Sequence, residues 1–161
     1  MPAVLENRLG QRAKDPVSRA LIRHLVVPWI YFEAPWPSSE ARVDVLAIDR
    51  AGTGDVHVVE IRQRAADALR AIAQVMRIPA QFRWVAFFAG SITPAVTLKL
   101  LNRECLYPAD GPGRVGVIEV VRMQGDDLGA NIKVTAERFP GSYRPQADAF
   151  VAAHEADICF R

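Results

Sequence analysis

Two neighbouring stretches, Arg42-Val-Asp-Val-Leu-Ala-Ile-Asp49 and Val56-His-Val-Val-Glu-Ile-Arg62, decide how this chain is read. Both are rich in β-branched residues and read as strands. Each carries one carboxylate, Asp44 or Glu60, inside an otherwise apolar run. A carboxylate in apolar surroundings is costly unless something pairs with it. The link between them contains Ala51-Gly-Thr-Gly54, which is turn chemistry. No helix follows these glycines, so they do not read as a phosphate cradle. A regular hairpin centred on Gly52 sets Asp44 opposite Glu60 and Arg42 opposite Arg62. Alternation places Glu60 and Arg62 on one face, with Ile61 on the other. Directly opposed Cβ atoms lie about 5 Å apart, so the two acids repel unless a cation joins them. A divalent ion such as Mg²⁺ takes carboxylate oxygens and would serve.

Outward from this pair the chain alternates strands and helices. Residues 1–14 read as a short helix or an ordered arm. Asp15-Pro16 reads as a helix start, with Asp15 as N-cap. Leu21, Ile22, Leu25 and Val26 recur at helical spacing, and Pro28 ends that helix. Trp29 to Glu33 is a strand, and Pro35 to Glu40 a loop. After the hairpin a helix is expected from about Ala65 to Ile78. Its apolar stripe is Ala65, Leu69, Ile72 and Met76; its polar one is Asp67, Arg70, Gln74 and Arg77. Trp84 to Ala89 is a strand covered on both faces. A helix from Thr93 to about Arg103 and a covered strand from Arg114 to Val121 follow. The last forty residues suggest a strand near Asn131 to Ala136, a loop at Pro140 to Pro145, and a helix near Gln146 to Ala156. Short links make the first three strands an antiparallel meander, and helical crossovers make the later ones parallel. The expected architecture is α/β: one mixed sheet flanked by helices, in a single domain over residues 1–161, with a core at about 15–121 and a C-terminal extension at 122–161.

Composition narrows the setting. The chain has 161 residues, half hydrophobic and a quarter charged, enough for one real core. No run is apolar and long enough to span a bilayer. The first fifteen residues lack the apolar region of a signal peptide. Cys105 and Cys159 have no metal-ligand spacing and read as thiols of a reducing cytosol, so a cytoplasmic location is expected. The net charge of +2 does not itself announce nucleic acid. Of twenty basic residues only Lys14, Lys99 and Lys133 are lysines, a bias that a GC-rich bacterial genome explains. His24, His57 and His154 form no cluster. Trp29, Trp36 and Trp84 read as packing residues, and Ser38, Ser39 and Ser91 have no partner pattern for a nucleophile.

Asp44, followed on the next strand by Glu60-Ile-Arg62 within this element order, resembles the PD-(D/E)XK nuclease superfamily, whose fold is restriction-endonuclease-like. That superfamily carries an acid on one strand and (D/E)-x-K on the next. Its core order of helix, three strands, helix and strand covers about residues 15–121 here. The wording of the two strands is similar to bacterial DNA-repair and Holliday-junction-like members, and more distantly to the MmcB-like DNA-repair group. The resemblance implies metal-dependent hydrolysis of DNA, with Asp44, Glu60 and the Ile61 carbonyl holding Mg²⁺ or Mn²⁺. It implies an assisting acid on the first helix, for which Asp15 is the nearest fit and Glu6 or Glu33 substitutes. It implies a glutamine on the helix after the motif, at Gln74. Fold analogy also suggests a homodimer.

The motif lysine is replaced by Arg62. An arginine stabilises phosphate charge but stays protonated, so it cannot act as a base. Neither Lys14, before the first helix, nor Lys99, on a later one, is near the motif in sequence, and a reach to the site through the fold stays open for both. On the same register Arg62 lies diagonal to Asp44 and Arg42 diagonal to Glu60. The four side chains can therefore form a salt-bridge square that needs no metal. Three readings follow: a metal-dependent nuclease-like protein acting on DNA; a catalytically inactive descendant that binds nucleic acid or protein, with Arg42 and Arg62 in place of metal; and an unrelated α/β protein with a structural ion-pair network. Bland roles remain for the flanking residues: Asp15 as an N-cap, Glu33 as a strand-end charge, Gln74 on a solvated face.

Overall fold

The hairpin has the register expected of it. In a computed structural model describing residues 2–23, 25, 28–38, 42–49, 54–63, 67–89 and 112–158, Val45 pairs with Val59, Leu46 with Val58, Ala47 with His57 and Ile48 with Val56. Asp44 and Glu60 are each the next residue beyond that ladder. The elements are α1 (Pro2–Ile22), β1 (Pro28–Ala34), β2 (Val43–Asp49), β3 (Val56–Arg62), α2 (Ala68–Met76), β4 (Phe82–Phe88), β5 (Gly116–Arg122), β6 (Leu128–Val134) and α3 (Arg144–Ala153). A 3₁₀ turn follows at Glu155–Asp157. The helix expected from Thr93 to Arg103, Lys99, Ser91 and both cysteines lie outside the described residues.

The six strands form one sheet in chain order. β1, β2 and β3 are antiparallel, β3, β4 and β5 parallel, and β6 antiparallel to β5. This is the α/β mixed sheet expected from the connections. Alternation sends Val45, Ala47 and Val59 to one face, against Ala13, Val17 and Leu21 of α1. Leu46, Ile48 and Val58 go to the other face, against Ala71, Ile72 and Val75 of α2 and Ala147 and Phe150 of α3. β4 is buried along both faces, as its continuous apolar run predicts. Among the described residues no helix is long and apolar enough to cross a membrane.

The first helix corrects the expectation at Asp15-Pro16. Helix α1 begins at Pro2 and runs through Pro16, so Asp15 is mid-helix and caps nothing. A proline inside a helix removes one hydrogen bond and crowds the preceding turn. Ala13 and Val17, on either side of Pro16, are fully buried against the sheet together with Leu21. Burial of that continuous stripe outweighs the local penalty of the proline. The helix also stops at Ile22, leaving Leu25 outside it.

One glycine shows how tightly the sheet packs. Gly116 is paired with Trp84 across β4 and β5. A Cβ there would lie 2.2 Å from Trp84 Cε3 and 2.8 Å from the Ala136 nitrogen. Gly116→Ala is therefore expected to destabilise the protein by roughly 1–3 kcal/mol through overpacking. A lowered urea midpoint with altered tryptophan fluorescence checks this; an unchanged midpoint contradicts it.

Candidate functional site

Three carboxylates lie across one end of the sheet. Phe32 pairs with Val45 and Ala34 with Val43, so Glu33 on β1 is beside Asp44 on β2. Asp44 in turn is beside Glu60 on β3. Glu33 has φ of 49°, the left-handed region that residues other than glycine seldom occupy. Its carbonyl accepts a hydrogen bond from Arg42 Nη1 at 2.7 Å.

Arg62 closes the pair that the sequence singled out. Its Nη2 is 3.1 Å from Glu60 Oε2 and its Nη1 3.7 Å from Asp44 Oδ2. Nη1 also donates to the Ile61 carbonyl at 2.9 Å, and Nη2 to Gln74 Oε1 on α2. The Ile61 N–H donates to Asp44 Oδ2 at 2.7 Å. Asp44, Glu60, Ile61, Arg62 and Gln74 thus meet at one point. The salt-bridge square does not form as expected, because the Glu33 carbonyl takes Arg42. Arg62 alone spans both acids.

The first helix contributes a lysine that its sequence position conceals. Lys14, 3% exposed, forms an ion pair with Glu33 and donates to Gln11 Oε1 at 2.9 Å. It lines a cavity of about 180 Å³ with Gly10, Gln11, Glu33, Asp44, Ile61 and Gln63. Its positive charge acts on Asp44. Asp15, by contrast, pairs with Arg19 at 2.9 Å on the exposed side of α1 and does not join the site. The Glu6 side chain lies outside the described residues. Lys14 and Glu33 were legible only in part: Ala13, Val17 and Leu21 recur at helical spacing across Pro16, which signals the continuous helix that carries Lys14 inward.

His57 is buried and structural. Its Nδ1 accepts from Trp84 Nε1 at 3.3 Å and its ring stacks on Phe82 at 4.4 Å. His154 pairs with Asp157, stacks on Phe150 and lines a separate cavity with Glu33 and Arg42.

The donor set suits a hard cation. Glu60 Oε1 is buried with no hydrogen-bond partner among the described residues, and Asp44 faces the small cavity. Mg²⁺ usually binds through one or two carboxylates with several waters retained; here Asp44 Oδ2 already accepts from the Ile61 N–H and the Ile61 carbonyl from Arg62. Among the described residues no group of three or more His, Cys, Asp or Glu side chains is placed to hold a metal unaided. Water and a phosphate oxygen would have to complete the shell, and Arg62 would have to yield.

The known proteins add the fold and no more. No protein-family model matches the chain, and no curated protein does. It is similar to the solved structure of SPO1766, a protein of unknown function from Silicibacter pomeroyi. The TM-score is 0.58 at 23% identity, covering 91% of this chain and 86% of that one. The likeness spans nearly the whole chain and shows a shared α/β fold.

Electrostatics of the acids yield a stability signature. Burial pushes the Glu60 carboxyl up to about 7; the Asp44 and Glu33 charges push the same way, and Arg62 opposes them. Burial also raises Asp44, against the Ile61 N–H and Arg62. The folded protein therefore keeps a proton at Glu60 that the unfolded chain, with its ordinary value of 4.5, has released. Stability is full below that ordinary value and is lost as pH rises towards about 7. The metal-free protein should lose roughly 2–3 kcal/mol over this window, from 1.36 kcal/mol per pH unit. Glu60→Gln should flatten the dependence. Urea midpoints across the window check both, and equal slopes in the two proteins contradict the assignment.

Proposed function

We propose that this chain is a PD-(D/E)XK-like protein acting on DNA, in which Asp44 and Glu60 hold a divalent cation for phosphodiester hydrolysis. The observation that carries this reading is Lys14. The strand motif lacks its lysine, and the first helix brings another to the cavity shared by Asp44, Glu33 and the Ile61 backbone. The described order of α1, three antiparallel strands, α2 and a parallel strand agrees with the restriction-endonuclease-like core.

The roles follow from the chemistry of each group. Asp44, Glu60 and the Ile61 carbonyl supply hard oxygen ligands. A bound Mg²⁺ or Mn²⁺ supplies Lewis-acid charge and a water activated for attack on phosphorus. Lys14, held by Glu33 and Gln11, orients water and offsets phosphate charge from the α1 side. Gln74 holds the guanidinium of Arg62 on the α2 side, where it can contact a phosphate oxygen bidentately once it leaves the acids.

A second reading has its own observation. Arg62 already contacts Asp44, Glu60 and the Ile61 carbonyl, the three groups expected to hold the metal. If the guanidinium never leaves, the protein is a non-catalytic nucleic-acid-binding or protein-interaction module. Here the arginine replaces the metal's charge.

Calorimetric titration with Mn²⁺ separates the two. On the first reading the protein binds the ion at millimolar concentration or below, and Asp44→Ala abolishes binding. Arg62→Ala then binds roughly tenfold more tightly, a gain of about 1.4 kcal/mol, because the competing cation is gone. Lys14→Met keeps metal binding and loses DNA cleavage. No heat from the wild-type protein removes the first reading.

A further inference from the structure

Beside the acid site, on the α2 side of the sheet, lies a groove of about 580 Å³. Arg42, Arg70, Gln74 and Arg77 line it over a floor that includes Trp36 and Ile78. Among the described residues no carboxylate lines this groove, and neither Arg70 nor Arg77 pairs with one. Exposed arginines on a helix usually find an acid or point into open water. Here Arg70 of α2 and its C-cap Arg77 converge with Arg42, which precedes β2, on one concavity. A concave surface of one charge sign concentrates its field and its counter-ions.

The spacing matches a polyanion. Arg70 and Gln74 of α2 and Arg77, its C-cap in helical conformation, fall on one face. Seven residues of helix separate the two arginines by about 10 Å along the axis. That is the rise of about three phosphates along one strand of B-form DNA. Arg42 sits at the rim, its Nη1 fixed on the Glu33 carbonyl at 2.7 Å. Gln74 belongs to both places: it lines the groove and accepts from Arg62 at the acid pair. A strand seated on the arginines and passing Gln74 would run towards the acid pair.

We infer that this groove is the seat of a DNA phosphodiester backbone, gripped by Arg42, Arg70 and Arg77 on one side of the phosphate presented to the acids. The direction towards the acids rests on the proposed function; the grip on phosphate rests on the groove itself. Guanidinium groups meet phosphate oxygens through paired N–H donors, so lysine would be a weaker substitute. Contacts of this kind position a strand without reading its sequence.

The test is fluorescence anisotropy of labelled single-stranded and duplex DNA over a salt series in EDTA, so that metal binding does not enter the readout. The wild-type protein should bind both at low salt. Arg70→Ala/Arg77→Ala should weaken binding at least tenfold. Its slope of log K against log salt should be shallower by roughly 1.4–1.8, the loss of two phosphate contacts. The substitutions favour the helix, so a folding defect is not expected, and circular dichroism confirms it. Arg70→Lys/Arg77→Lys should recover most of the slope. Arg144→Ala, on α3 near the β2–β3 turn, should leave both unchanged. Unchanged affinity and slope in the double alanine variant overturn the inference, as does an equal loss with Arg144→Ala or no binding by the wild type. A protein that binds no Mn²⁺ yet needs Arg70 and Arg77 for DNA loses the hydrolytic reading and keeps the groove. One that binds Mn²⁺ but ignores their loss keeps the acid site and loses the groove.

Discussion

Glu60 sits 2% exposed at the end of a buried strand, next to a second carboxylate. Such an arrangement survives only if the acid holds a proton or a cation stands beside it. Much of the surrounding architecture supplies those remedies. Arg62 bridges the two acids, Gln74 steadies Arg62 from one helix, and Lys14 brings a second positive charge from the other. The two helices lie on opposite faces of the sheet, and each sends a side chain to its end, Lys14 to Glu33 and Gln74 to Arg62. A stability argument alone does not call for this. Replacing a buried ion pair with apolar side chains is often neutral or stabilising. Asp44 of this pair lines a small cavity, and an arginine-lined groove lies beside it.

The hairpin was legible because its register is overdetermined. A glycine turn, alternating burial and two opposed apolar faces leave only one pairing that buries both sets. The antiparallel β1–β3 meander and the parallel β4 and β5 also followed from link lengths, whereas the antiparallel β6 did not. Asp15 was misread for a related reason. Asp-Pro is a sound local signal for a helix start, but Ala13, Val17 and Leu21 bury one continuous stripe, and packing overrides the proline. With that boundary moved, Lys14 turns inward instead of sitting on an arm.

Contacts set by backbone conformation were out of reach of sequence. The left-handed turn at Glu33 lets its carbonyl take Arg42, which breaks the expected square. Nothing in the residue types announces a positive φ at a glutamate. The groove was likewise hidden: Arg70, Gln74 and Arg77 read as one polar stripe, and only the approach of Arg42 and Trp36 makes the stripe concave. The same α2 face therefore changes meaning from solvated surface to a lined groove.

The proposed function requires one exchange, a guanidinium for a divalent cation between Asp44 and Glu60. A crystal structure of the wild-type protein grown with Mn²⁺, with data collected at the manganese absorption edge, observes that exchange directly. An anomalous peak is expected within ligand distance of both carboxylates and the Ile61 carbonyl, with Arg62 turned away from the acids. No peak, with Arg62 still bridging Asp44 and Glu60, would contradict it.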